Sequence, residues 1–201
     1  MGKLYFKYGA MGSGKTIELL RTIYNYERGN FKTVLFKPLI DTKGDDNIVS
    51  RMGLSRKVDV LLANDAKVTT YIDAKTKTIF IDEAQFLTKE QVEELWLLTK
   101  ERDLIVFCYG IKQDFLTNMF PASKRLLELA DKIEEIPTLC KCGKKATFSL
   151  RKLNNRPVFE GEQISIDGFF DVTYEALCGE CYLKTFKEAK EAGLIRKENI
   201  F

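Results

Sequence analysis

The sequence predicts an α/β fold with a largely parallel sheet and a small module stapled on by cysteines. Three observations lead there. Apolar runs alternate with amphipathic helical stretches up to about Ile136. One glycine-rich segment leaves a predicted strand and opens a predicted helix. Beyond Ile136 the texture changes to paired cysteines flanking a segment that alternates as a hairpin does.

Taken in order, Lys3–Tyr8 (KLYFKY) reads as a strand and Lys15–Arg28 as a helix presenting Ile17, Leu20, Ile23 and Tyr24. Lys32–Phe36 (KTVLF) is a second strand. Asp41–Gly53 is polar and glycine-containing, so a mobile loop is expected. Lys57–Leu62 and Thr78–Ile81 are further strands, the second apolar enough to be buried on both faces. Thr88 and Gln91 have capping-box spacing and open a helix that buries Leu95 and Leu98. Asp103–Tyr109 is another buried strand and Ser123–Asp131 another helix. Past a boundary near Pro137, Asn154–Asn155 reads as a hairpin turn. Ala189, Ala192, Leu194 and Ile195 mark a closing helix. The expected division is an α/β core at 1–136, a cysteine module at 137–184, and a C-terminal helix and tail at 185–201.

At 201 residues, 45% hydrophobic and 30% charged, the chain has the balance of a globular protein with a real core. Its net charge of +3 is too small to argue for nucleic acid or a membrane surface. No apolar run reaches bilayer length. The N-terminus lacks a signal peptide's apolar stretch, and Phe6 stands where a myristoylation signal needs Ser or Thr. A cytoplasmic, reducing location is therefore expected, where cysteines serve as metal ligands or core residues. The chain has no histidine. A general base must then be a carboxylate or, failing that, Lys, Tyr or Cys, and metals must be held by sulfur or oxygen.

Gly9-Ala10-Met11-Gly12-Ser13-Gly14-Lys15-Thr16 matches G-x-x-x-x-G-K-S/T. The glycines let successive N–H groups turn inward as a nest for phosphate oxygens, and the following helix adds its positive end. Lys15 reaches the β- and γ-phosphates of ATP, and the Thr16 hydroxyl is a Mg²⁺ ligand. Ile79-Phe80-Ile81-Asp82-Glu83 is an apolar strand ending in two carboxylates. Asp82 is the expected second Mg²⁺ ligand, and Glu83 the expected base taking or orienting a proton from the attacking nucleophile. Cys140 and Cys142 face Cys178 and Cys181 as two knuckles, whose four thiolates would close a structural Zn²⁺ site. A disulfide between adjacent cysteines is the competing reading, and the compartment argument opposes it. Cys108, inside IVFCYG, reads as core.

These residues also carry a family resemblance. The elements are YGAMGSGKTIELLR, the FKP-x-x-DT turn at Phe36–Thr42, IDEAQF at Ile81–Phe86 and YG-x-x-x-DF at Tyr109–Phe115. SKRLLELADKIEEI, the CG-x-x-A of Cys142–Ala146, and Tyr174 shortly before Cys178 continue the series. In this order they resemble the thymidine kinases of the cellular, zinc-containing type. The resemblance implies transfer of the ATP γ-phosphate to the 5′-hydroxyl of thymidine, with Glu83 as proton acceptor. It further implies that Phe86, Phe115 and Tyr174 enclose the nucleoside with aromatic faces, and that Met11 also adjoins it. A RecA-like core, a zinc-bearing lasso domain, a homotetramer and feedback inhibition by thymidine triphosphate are implied on the same footing. The stretch Ile166–Tyr174 is longer than the family usually places there, which leaves base preference open.

Two other classes stay in view. An ATPase or helicase-like motor would use the same acidic pair to orient water, but no sensor strand or arginine finger can be identified for it. A zinc-ribbon nucleic-acid module would draw on Lys141, Lys144, Lys145, Arg151, Lys152 and Arg156 and bind in a salt-sensitive way. Neither a nucleic-acid nor a membrane partner is expected.

Overall fold

A computed structural model describes residues 1–39, 46–163, 172–195 and 199–200. The chain forms two compact units. One comprises Met1–Tyr8, Gly14–Lys112 and Phe120–Ile136. The other comprises Gly9–Ser13, Gln113–Met119 and Pro137–Phe201.

The first unit is built on β1 (Lys3–Tyr8), α1 (Lys15–Arg28), β2 (Lys32–Pro38), β3 (Asn47–Val49), β4 (Ser55–Lys57), β5 (Val60–Leu62), β6 (Thr76–Ile81), α2 (Lys89–Glu101), β7 (Ile105–Gly110), α3 (Pro121–Leu129) and β8 (Lys132–Glu135). Six of these strands form one sheet in the order β5-β2-β6-β7-β1-β8. Every pairing in it is parallel. Alternation along each strand then decides the two cores. Leu4, Phe6, Val34, Phe36, Ile79, Ile81, Val106 and Cys108 point to one face, against Val92, Leu95 and Leu98 of α2 and Leu126 of α3. Leu35, Phe80, Phe107 and Tyr109 point to the other, against Leu19 and Ile23 of α1. With both faces covered, the last four residues of β6, Thr78–Ile81, are buried at every position, as in buried parallel strands. The α1 face is aromatic: Phe107 stacks on Phe80 at 5.2 Å and on Tyr5 at 4.6 Å.

The second unit adds β9 (Thr138–Leu139), β10 (Lys145–Ala146), β11 (Phe148–Leu153), β12 (Arg156–Val158), β13 (Val172–Leu177) and α4 (Gly179–Glu191). β12-β11-β13 is an antiparallel sheet, and β9 and β10 form a two-stranded ribbon. Asn154 and Asn155 both take positive φ, 48° and 62°, which a two-residue turn matched to strand twist requires. Leu150, Phe159, Leu177, Tyr182 and Phe186 make its core, with Phe159 edge-on to both Tyr182 and Phe186.

The structure corrects several expectations. In α1 the buried face is Leu19 and Ile23, whereas Tyr24 is 60% exposed. The run Lys57–Leu62 holds parts of two strands, separated where the Asp59 carboxylate accepts from the Leu35 N–H. Of the expected loop Asp41–Gly53, residues 41–45 lie outside the described residues. The remainder is ordered: β3 pairs with β4, and Ser50 Oγ accepts the Leu54 N–H across the turn. The helix expected to reach Asp131 ends at Leu129, and β8 follows, unanticipated. Asp131 diverts the chain by exchanging hydrogen bonds with Leu4, its N–H to the Leu4 carbonyl and its carboxylate from the Leu4 N–H. The closing helix begins at Gly179, so Cys181 stands in its first turn.

Candidate active site

In a parallel sheet the carboxyl ends of all strands lie along one edge, where α/β proteins place their ligands. Here β1 runs out into the glycine loop, β6 into Asp82 and Glu83, and β7 into Gly110 and Ile111. Gly12 and Gly14 take φ of 80° and 84°, left-handed values that the wrapped loop needs and side chains resist. Gly14 also caps α1, so the loop's last N–H groups continue into the helix N-terminus. Lys15 is buried at the first helical position. Burial pushes its ammonium pKa down, against the carboxylates of Glu83 and Asp82, which act to raise it. Asp82 is also buried, and burial followed by the adjacent Glu83 pushes its carboxyl well above the usual range. Both carboxyl groups act on the buried Lys15, so the end of β6 offers oxygen donors beside it. Together with the half-buried Thr16 hydroxyl at the start of α1, that donor set suits a hard divalent cation.

Glu83 itself has φ 51° and ψ 42°, a left-handed backbone rare for a non-glycine residue. It turns the chain into a short 3₁₀ segment, Ala84–Phe86, closed by the Phe86 N–H donating to the Glu83 carbonyl. Phe86 is half-buried and edge-on to Phe120 at 5.6 Å. The structure thus gathers Lys15, Asp82, Glu83 and Phe86 within the first unit.

The second unit gathers the others. The Met11 N–H donates to Ser149 Oγ at 3.0 Å. Phe115 and Tyr174 meet through Arg151, a residue given no site role in the sequence reading. Arg151 is 5% exposed, with its guanidinium 3.7 Å from the Phe115 ring centre. Its Nε donates to the Tyr174 hydroxyl, and its two terminal nitrogens to the carbonyls of Glu162 and Gln163. The Tyr182 hydroxyl donates to the Phe115 carbonyl, one residue past the second cysteine knuckle. Phe115 is 2% exposed as a result. Of the longer stretch Ile166–Tyr174, residues 166–171 lie outside the described residues. Arg151 was seen only as part of a basic cluster, because a lone arginine in a strand signals solvated charge until its partners are known.

Sγ atoms of Cys140, Cys142, Cys178 and Cys181 all lie within 4.8 Å of one another. Four thiolates about 2.3 Å from a tetrahedral ion stand about 3.8 Å apart, and Cys142 and Cys178 are 3.6 Å apart. The short first knuckle closes because the Gly143 N–H returns to the Cys140 carbonyl. Burial opposes ionisation of Cys140, but hydrogen bonds from the Cys142 and Cys178 backbones and from neighbouring thiols outweigh it and bring the thiol down to about 6. The same thiol contacts push Cys181 up to about 12, so the four sulfurs titrate as one set. All five cysteines are free, and Cys108 is fully buried in the sheet core.

A parallel sheet, a phosphate loop feeding a helix, and an acidic pair ending a buried strand define a P-loop-like nucleotide-binding protein. The thymidine kinase family model matches residues 2–182. A thymidine kinase of Streptococcus pyogenes serotype M28 is 43% identical over 187 residues, covering 90% of this chain and 97% of the relative. A thymidine kinase of Streptococcus agalactiae serotype Ia matches at the same identity and coverage. The chain belongs to the thymidine kinase family, whose reaction is ATP-dependent phosphorylation of thymidine. Among solved structures, the Pif1 helicase from Candida albicans matches at a TM-score of 0.39 and 16% identity, over 67% of this chain and 36% of that one. A likeness that low carries no argument. No helix among the described residues is long and apolar enough to cross a membrane.

Proposed function

We propose that the loop Gly9–Thr16 cradles the ATP phosphates, with Lys15 on the β- and γ-oxygens, and that Glu83 is the base for the thymidine 5′-hydroxyl. The observation that carries this reading is the placement of Glu83 beside Asp82 at the end of β6, both acting on a buried Lys15. The Glu83 carboxylate takes the hydroxyl proton as the 5′-oxygen forms its bond to the γ-phosphorus. The bond from that phosphorus to the bridging oxygen breaks, and ADP leaves with the electron pair. Lys15 and the loop N–H groups hold the charge on the transferred oxygens. Thr16 and Asp82 would hold a Mg²⁺ ion, which when bound neutralises phosphate charge.

Met11, Phe86, Phe115 and Tyr174 are assigned to the nucleoside, with Arg151 supporting the last two. The four cysteines hold a structural Zn²⁺, since the set is complete with sulfur and leaves no open position. On this reading residues 1–136 supply the kinase core, 137–184 the zinc module and 185–201 the closing helix and tail. A cytoplasmic homotetramer inhibited by thymidine triphosphate completes the reading on family grounds. Phosphate transfer from MgATP to a panel of nucleosides, with Glu83→Gln alongside, tests it. Thymidine phosphorylation that the variant loses by 10²-fold or more, on the order of a positioned base's share, supports the assignment. Undiminished transfer by a folded Glu83→Gln refutes it. ATP hydrolysis without any nucleoside product would bring the motor reading forward. Solution mass with and without thymidine triphosphate checks the assembly.

A further inference from the structure

We infer that Gln85 is a positioning residue for the base, orienting the Glu83 carboxylate through a donated amide hydrogen bond; this rests on the assignment of Glu83 made above. Gln85 is 3% exposed, so its amide must find its partners within the protein. Its oxygen accepts the Ile111 N–H at 3.1 Å, and its nitrogen donates to Glu83 Oε2. The two partners fix which way the amide points. A flipped group would set its NH₂ against the Ile111 N–H and its oxygen against a carboxylate, two mismatches at once.

The surroundings hold this amide at a set place. A Cβ on Gly110 would stand 2.7 Å from Gln85 Oε1, closer than side chains tolerate. Glycine at the end of β7 is therefore what admits the amide. Ile111 is held in turn, because Ser123 Oγ donates to its carbonyl at 2.7 Å. Glu83 stands in a left-handed backbone that persists only where neighbours over-determine it. The tie from β7 through Gln85 to the carboxylate links the base to the rigid sheet edge. Without it the carboxylate can rotate, and a base misplaced by about 1 Å loses on the order of 10² in rate.

The test uses the full chain with MgATP and thymidine. Gln85→Met keeps the bulk and removes both polar ends. It is expected to lower kcat about 10²-fold while both KM values stay within about threefold, the signature of an interaction made in the transition state. In the Glu83→Gln background the same substitution should add no further loss, since the two residues act as one unit. A Gln85→Met enzyme with normal kcat beside an inactive Glu83→Gln overturns the positioning role alone. Equal losses in both backgrounds overturn it too, because Gln85 would then act elsewhere. A fully active Glu83→Gln instead overturns the base assignment. Where the methionine variant fails to fold, Gln85→Asn keeps an amide but shortens the side chain by one methylene, so it cannot span from the Ile111 N–H to the Glu83 carboxylate. That variant should stay folded and lose kcat, and retained kcat overturns the inference.

Discussion

Replacing Arg151 by methionine keeps most of the side-chain volume and removes a buried guanidinium with three hydrogen bonds and a ring contact. An acceptor left unpaired in the interior costs about 1–3 kcal/mol. The partners are not equally buried: Glu162 is exposed, and Gln163 and Tyr174 are half-buried, so water can replace part of the loss. Counting about one full penalty and about 1–2 kcal/mol for the stacked cation, the expected cost is about 3 kcal/mol. In a chain of this size that lowers Tm by about 6–12 °C. Scanning calorimetry reads the stability, and steady-state kinetics reads the site. Phe115 and Tyr174 lose their common brace, so thymidine KM should rise about tenfold, roughly one misplaced contact, with kcat little changed. Arg151→Lys restores charge without the planar fork and should recover only part of either effect. A methionine variant with parental Tm and parental thymidine KM would show that the brace carries neither stability nor geometry.

Cys181→Ser should lose metal and melt the second unit, because zinc binding at four thiolates supplies folding energy on the order of 10 kcal/mol. Elemental analysis checks it, and a full zinc complement would defeat the four-thiolate site. Thr88→Ala removes the side chain that accepts the Gln91 N–H and leaves the backbone N–H that donates to the Gln91 side chain, for a cost of about 1 kcal/mol. Chemical denaturation with an unchanged m-value should show it as a shifted midpoint. Glu134 is held below the usual carboxylate range by hydrogen bonds from Lys132 and then Lys7. A depressed folded value means its stabilisation is present above the unfolded value, about pH 4.3, and fades as pH falls below that. Thermal melts between about pH 6 and 3 should therefore fall less steeply for Glu134→Gln than for the parent.

Lys7 shows why such groups elude sequence reading. In KLYFKY it looks like a solvated strand charge, yet it lies about 6 Å from the Phe107 and Tyr109 ring centres and is ion-paired to Glu18 and Glu134. Its burial alone would lower the ammonium pKa, but the two carboxylates prevail and raise it. Its partners come from α1 and from β8, a strand that local pattern did not reveal.

What the sequence determined by itself were features whose causes are local. The phosphate loop is legible because its glycines and Lys15 act through backbone geometry within eight positions. The β6 run ending in Asp82–Glu83, the Thr88–Gln91 capping box and the Asn154–Asn155 turn are legible for the same reason. The cysteines could be paired from thiolate chemistry, which needs only four ligands and a turn. Tertiary structure decided whatever depends on partners distant along the chain. It placed Asp131 against Leu4 and so ended α3 early to make β8, and it turned α1 on Leu19 and Ile23 rather than Tyr24. It set Arg151 over Phe115, and lodged Gln85 between Glu83 and Ile111 in the space that Gly110 leaves. Hydrogen-bond and ring contacts are short-ranged, so a buried polar side chain has no readable role until packing brings its partners within about 3 Å.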